Sequence, residues 1–194
     1  MMNFLKTFES LTDYKVEVLT TTKIRKIYNK LYSNNINFDL KDKINYFDYQ
    51  DMRGSWGGGN DIYDKTLRLI TAYNDKDILG ICKIAYWTMT KHFAVSYLST
   101  NKDYFHMGVS KKILEVLFQY FSETYPGEIL GWSGYSIDGW KYLHPKILEL
   151  SKKYNVKLEE KGIEYVTGDW TDEKRELYNK SREEIKNIYG YYPY

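Results

Sequence analysis

The sequence predicts an α/β (α+β) protein built on a mixed central sheet, antiparallel in its first half and parallel at a helical crossover, with helices flanking it. The first half is read from LRLITAYN and DILGICKIAYW, two apolar, β-rich runs joined around Asn74-Asp75-Lys76-Asp77, which is a hairpin. The crossover is read from HFAVSYLST at 92–100, a further strand, followed through a polar loop by GVSKKILEVLFQYFSETY. Val109, Ile113, Val116, Leu117, Phe118, Tyr120 and Phe121 give that segment the apolar face of a helix lying on a sheet. Pro126-Gly127 stops it, and EILGWSGYS returns to a strand. A strand that returns through a helix can pair in parallel, whereas a tight hairpin can only pair antiparallel.

The remaining elements fit around this frame. KVEVLTT at 15–21 alternates apolar and polar residues and reads as the first strand. Thr22 can cap KIRKIYNKLYSNN, where Ile24, Ile27, Tyr28 and Leu31 recur at helical spacing. Residues 34–65 mix short helical possibilities in FDLKDKINYFDYQDM with the glycine-rich RGSWGGGND. Beyond the return strand, DGWKYLHPKILELSKKYN is a helix broken or started near Pro145, with Asp138 a candidate cap, and VKLEEKGIEYVTG holds one or two short strands. Residues 1–170 form one domain, and 171–194 a polar helical tail. The tail has Thr171 as its cap and a thin stripe of Leu177, Ile185 and Ile188. So narrow a stripe cannot bury itself, so the tail should dock on the domain, on a second copy in a homodimer, or on a partner.

Composition narrows the function. A net charge of +2 is too small to mark a nucleic-acid binder, and no basic stripe accompanies the 21 tyrosines. Cys82 is the one cysteine and lies in the apolar run ICKIAYW, which suits a small buried hydrophobe rather than a nucleophile or a metal ligand. No His/Asp/Glu cluster has metal-ligand spacing. No apolar run approaches a membrane span, and MMNFLKTFES lacks a signal-peptide core, so the expected setting is soluble and cytoplasmic, without a membrane partner.

The chemistry concentrates at 97–114, YLSTNKDYFHMGVSKKIL. A strand end, a polar loop and a helix start containing Gly108 and Ser110 present open amides and a helix dipole, which favour an anion. Small side chains let a phosphate approach the backbone, and Lys102, Lys111 and Lys112 add positive charge.

With the element order, this block resembles the GCN5-related N-acetyltransferase (GNAT) superfamily. That family carries Gln/Arg-x-x-Gly-x-Gly/Ala between a splayed strand and a long helix, and its motif falls here on Phe105-His106-Met107-Gly108-Val109-Ser110. Gly108 matches, Ser110 is small where Gly or Ala is usual, and Phe105 replaces Gln or Arg. The resemblance spans roughly residues 14–166 by element order. It implies that the amides of Met107, Gly108, Val109, Ser110 and Lys111 hold the pyrophosphate of acetyl-CoA as cosubstrate. The backbone of Tyr97, Leu98 and Thr100 would bond its pantetheine arm. It also implies a tyrosine acid for the departing thiolate: Tyr142, on the helix after the fifth strand, or Tyr135 just before it.

The central strands LRLITAYN, ICKIAYW and FAVSYLST hold no glutamate, so the base falls to Asp51, Asp61, His92 or a water relay. RGSWGGGND, with Arg53 and Trp56, is either an acceptor-side lid or a plain surface loop. The expected activity is transfer of an acetyl group from acetyl-CoA to an amine acceptor, whether small molecule or protein. The alternative is a non-catalytic GNAT-fold protein that binds or inhibits through protein contacts.

Overall fold

The computed structural model describes residues 14–20, 23, 67–87, 91–132, 134–164 and 171–190. Apart from Lys23, the helix expected over 23–35 after Thr22 lies outside the described residues, as does the 34–65 segment with Asp51, Arg53, Trp56 and Asp61.

Strand β1 (Lys15–Leu19) pairs antiparallel with β2 (Arg68–Tyr73), and β2 pairs antiparallel with β3 (Ile78–Trp87). After β4 (His92–Thr100) come helix α1 (Val109–Thr124) and β5 (Ile129–Trp132), and β5 pairs in parallel with β4. Helices α2 (Ile137–Tyr142) and α3 (His144–Tyr154) lead to β6 (Lys157–Glu160), parallel to β5, and α4 (Asp172–Tyr189) follows. Among the described residues six strands bond in chain order. The mixed sheet expected from the sequence, antiparallel in its first half and parallel at the crossover, is the one observed.

The chain divides into two compact units, residues 1–85 with 97–117, and 86–96 with 118–194. In the first, Asn74 closes the hairpin: its Oδ1 accepts from the amides of Lys76 (2.9 Å) and Asp77 (2.7 Å), and its own amide donates to the Asp77 carbonyl (3.0 Å). Leu69, Ile70, Thr71 and Ala72 are all buried, so β2 is covered on both faces and reads as a continuous apolar run rather than an alternation. Cys82 is fully buried and burial pushes its thiol up, which fits a packing role. Gly80 is a close-approach glycine. A Cβ there would lie 2.9 Å from the Ser99 carbonyl oxygen, 3.0 Å from Ile113 Cδ1 and 3.2 Å from Val109 Cγ1. Its bareness lets the first turns of α1 seat directly on β3.

The second unit has an aromatic centre. Phe93 meets Tyr125 at 4.0 Å and Phe121 at 5.5 Å between ring centroids. Ser136, not Asp138, caps α2, accepting from the Gly139 amide at 3.0 Å. A cap must sit in extended backbone before the first turn, as Ser136 does (φ −66°, ψ 164°); Asp138 already lies in that turn. Pro145 starts a new helix, α3, in its first turn, and left-handed Asn155 (φ 52°) ends it.

Thr171 caps α4, as its sequence implied, accepting from the Lys174 amide. The helix docks through Ser181, Ile185 and Tyr189, at four-residue steps. Ser181 Oγ accepts from the Ile163 amide (3.2 Å), Ile185 is fully buried, and the Tyr189 hydroxyl donates to Glu160 Oε2 (2.6 Å). Of the expected stripe, Ile185 is buried, Leu177 is half-buried and Ile188 is exposed. Among the described residues no helix is long and apolar enough to cross a membrane.

Candidate functional site: an amide cradle at the start of α1

β4 ends at Thr100, and the chain reaches α1 through a short 3₁₀ turn at Lys102–Tyr104 followed by residues 105–108. His106 (φ 63°) and Gly108 (φ 79°) are both left-handed. For Gly108 this conformation is free of strain, and no atom of the described residues lies within 4 Å of where a Cβ would stand.

The Met107 amide donates to the Tyr104 carbonyl at 3.4 Å, and the Lys112 amide to the Gly108 carbonyl at 3.1 Å. The four amides between them, from Gly108 to Lys111, have no backbone acceptor among the described residues. They are the donors every helix start leaves over, and α1 has no acidic residue in its first turn to occupy or repel an incoming anion. Lys102, Lys111 and Lys112 are exposed. Thr100 and Ser110 join strand end to helix start through a hydroxyl pair at 2.6 Å. Of the other expected contact residues, Tyr97 and Leu98 are half-buried at the end of β4, while Val109 is buried. Phe105, at the motif position of Gln or Arg, is 43% exposed and meets His106 edge-on.

The loop is anchored by residues that sequence reading missed. Asn101 is fully buried; its amide donates to the Leu79 carbonyl (2.8 Å) and its Nδ2 to the Ile78 carbonyl (3.2 Å). The Tyr104 hydroxyl donates to Asp77 Oδ2 at 3.1 Å, and its pKa is raised, first by burial and then by the Asp77 carboxylate. The available signal was weak: polar residues at the ends of the hairpin and loop.

In the second unit the two tyrosines have opposite surroundings. Tyr142 is 68% exposed. Tyr135 is buried, stacks on Trp132, and donates its hydroxyl to the buried Glu160 carboxylate. Burial, then the Glu160 charge and hydrogen bond, hold the Tyr135 pKa well above the usual phenol value. His144, stacked on Trp140, lies 3.5 Å from Glu160 Oε2 and 3.9 Å from Glu184 Oε1. His92 pairs with Glu159 at 3.6 Å.

Fold and turn define a mixed α/β protein with an open amide cradle at a strand-to-helix junction. No family model matches this chain, and no curated protein matches it. Among solved structures it is similar to an aminoglycoside acetyltransferase from an uncultured soil metagenomic sample, in complex with trehalose, at 13% identity and a TM-score of 0.43, over 81% of this chain and 95% of that one. A second aminoglycoside acetyltransferase from such a sample is similar at 12% identity and a TM-score of 0.42, over 82% and 99%. A ribosomal-protein-alanine N-acetyltransferase from Brucella melitensis biovar Abortus 2308 follows at 12% and 0.41, over 82% and 96%.

Proposed function

We propose that the protein is an N-acyltransferase that moves an acetyl group from acetyl-CoA to an amine. The observation that carries this is the cradle: four amides, from Gly108 to Lys111, with no backbone acceptor among the described residues, at the start of a 16-residue helix opened by a left-handed glycine that no atom of the described residues crowds. The donor set fits a pyrophosphate, because backbone amides, a helix dipole and flanking lysines all favour an anion without needing a particular side chain. Acetyl-CoA, when bound, supplies the activated thioester. The chain would hold its phosphates on those amides and its pantetheine arm on the backbone of Tyr97, Leu98 and Thr100.

Acylation of an amine also needs an acid for the thiolate. Tyr142, with its exposed hydroxyl, is the better candidate. Tyr135 already gives its proton to a hydrogen bond with Glu160, and its raised pKa makes it a poorer donor. One feature favours the second reading, a non-catalytic binder: Phe105 puts an exposed apolar ring where the motif calls for Gln or Arg.

Titration calorimetry with acetyl-CoA tests the proposal. The parent should bind, and Gly108→Glu should weaken binding at least tenfold, about 1.4 kcal/mol, by placing bulk and negative charge before the amides. Circular dichroism should show the variant folded, since Gly108 lies in an exposed turn. A parent silent at millimolar acetyl-CoA overturns the proposal. Binding without turnover across a broad amine panel favours the second reading.

A further inference from the structure

We propose that Asp77 and Tyr104 are positioning residues for the amide cradle, acting with buried Asn101 to fix the turn that aims its donors; the inference rests on reading 108–111 as a pyrophosphate site. The loop from Thr100 to Val109 is a bridge between anchored points. At its start, Asn101 binds the beginning of β3 through its amide and Nδ2, while its Oδ1 accepts from the Asp103 amide at 3.0 Å. At its far end, Ser110 is joined to Thr100. Between them lie two left-handed residues, His106 and Gly108. A non-glycine residue is uncommon in that conformation and holds it where its surroundings impose it.

Tyr104 is where they impose it. Its carbonyl accepts from the Met107 amide, closing the turn just before the open donors, and its hydroxyl is held by Asp77. Asp77 is itself immobilised, since its amide donates to Asn74 Oδ1 and its carbonyl accepts from the Asn74 amide. The rigid hairpin turn thus reaches across 27 residues of sequence to hold the loop from outside. Donors already aimed at a ligand bind it more tightly than donors that must first be ordered. Cutting the Tyr104–Asp77 bond leaves every cradle amide in place chemically but free to diverge.

The pair also makes a distinction that electrostatics does not. Asp77 carries a negative charge, which near an anion site can only oppose binding, so its removal alone should not weaken the site. Its hydrogen bond, by contrast, is reproduced by an asparagine, whose Oδ1 accepts equally well from a tyrosine hydroxyl.

The test is calorimetric titration of the folded proteins, well below their thermal midpoints, with inorganic pyrophosphate and with CoA. Tyr104→Phe and Asp77→Ala should each weaken both ligands by roughly five- to tenfold, while Asp77→Asn stays within about twofold of the parent. The Tyr104→Phe/Asp77→Ala double variant should be no weaker than the worse single one, because both changes cut the same bond. Should Asp77→Ala lower the thermal midpoint, Tyr104→Phe, which removes one hydroxyl, decides the matter. If the parent binds and Tyr104→Phe binds equally well, the positioning role falls and the cradle stands. Loss in Asp77→Asn matching that in Asp77→Ala also overturns it, since the bond would then not be what matters. A parent that binds neither probe overturns this inference together with the cradle reading.

Discussion

Tyr135 and Tyr142 are seven positions apart and carry the same phenol, yet their surroundings are opposite. Tyr142 stands in solvent on α2. Tyr135 sits under Trp132 and Trp140 and gives its proton to Glu160. If Tyr142 protonates the leaving group, Tyr142→Phe should cut turnover about a hundredfold with CoA affinity nearly unchanged. Tyr135→Phe should act through stability instead. It takes one donor from a buried carboxylate, a cost of about 1–3 kcal/mol, and should lower the denaturation midpoint while leaving turnover of the folded enzyme close to the parent's. Steady-state kinetics beside urea denaturation separates the two, and a fully active Tyr142→Phe removes that residue from the mechanism. The sequence puts Tyr142 on the helix after the fifth strand and Tyr135 just before it, and shows nothing of what surrounds either. The partner that sets their surroundings apart, Glu160, is 25 residues from Tyr135 in the chain.

At the scale of elements, what was legible was local. The hairpin at 74–77, the strand at 92–100 and the stop at Pro126-Gly127 are written in neighbouring residues, and each is observed there. What was not legible is contact between elements. Thr100 with Ser110 and Tyr104 with Asp77 are polar pairs that local patterning does not reveal, because loop and hairpin meet only once the sheet has formed. The cap of α2 was misread for a related reason: Asp138 and Ser136 both suit a helix start, and only the backbone angles choose.

Gly80 is another case, since an isolated strand glycine shows its purpose only when α1 is laid on it. Gly80→Ala would drive a Cβ against the Ser99 carbonyl, which cannot rotate away, and against Ile113 and Val109. It should cost about 1–3 kcal/mol, read from denaturant midpoints. Because Val109 opens α1, the same variant should also weaken CoA in calorimetry. A midpoint within experimental scatter of the parent's would mean that α1 does not sit against β3 as described.

For the whole chain, the tail is an integral part of the second unit. The expected narrow stripe has been rotated: Ile188 faces solvent at 46% exposure, while Ser181 and Tyr189, outside that stripe, take polar contacts inward. The sequence signalled that α4 must dock, but its docking face is partly polar and so hidden from a hydrophobic count. Glu160 explains why those polar contacts matter. It is fully buried, receives hydroxyls from Tyr135 and Tyr189, and has His144 nearby. A buried carboxylate left without its donors is costly, so α4 helps to satisfy it as well as covering apolar surface.

Truncation after Gly168 removes Tyr189 from Glu160, Ser181 from the Ile163 amide and Ile185 from the core in one step. The truncated chain should melt well below the parent. Ile185→Ala alone should cost about 2–5 kcal/mol, so a large share of the loss should be reproduced by one substitution. Thermal circular dichroism of parent, Ile185→Ala and truncated chain makes the comparison, with sedimentation to check that all three have the same oligomeric state. A truncated chain that melts with the parent would show that α4 rests on the second unit without supporting it.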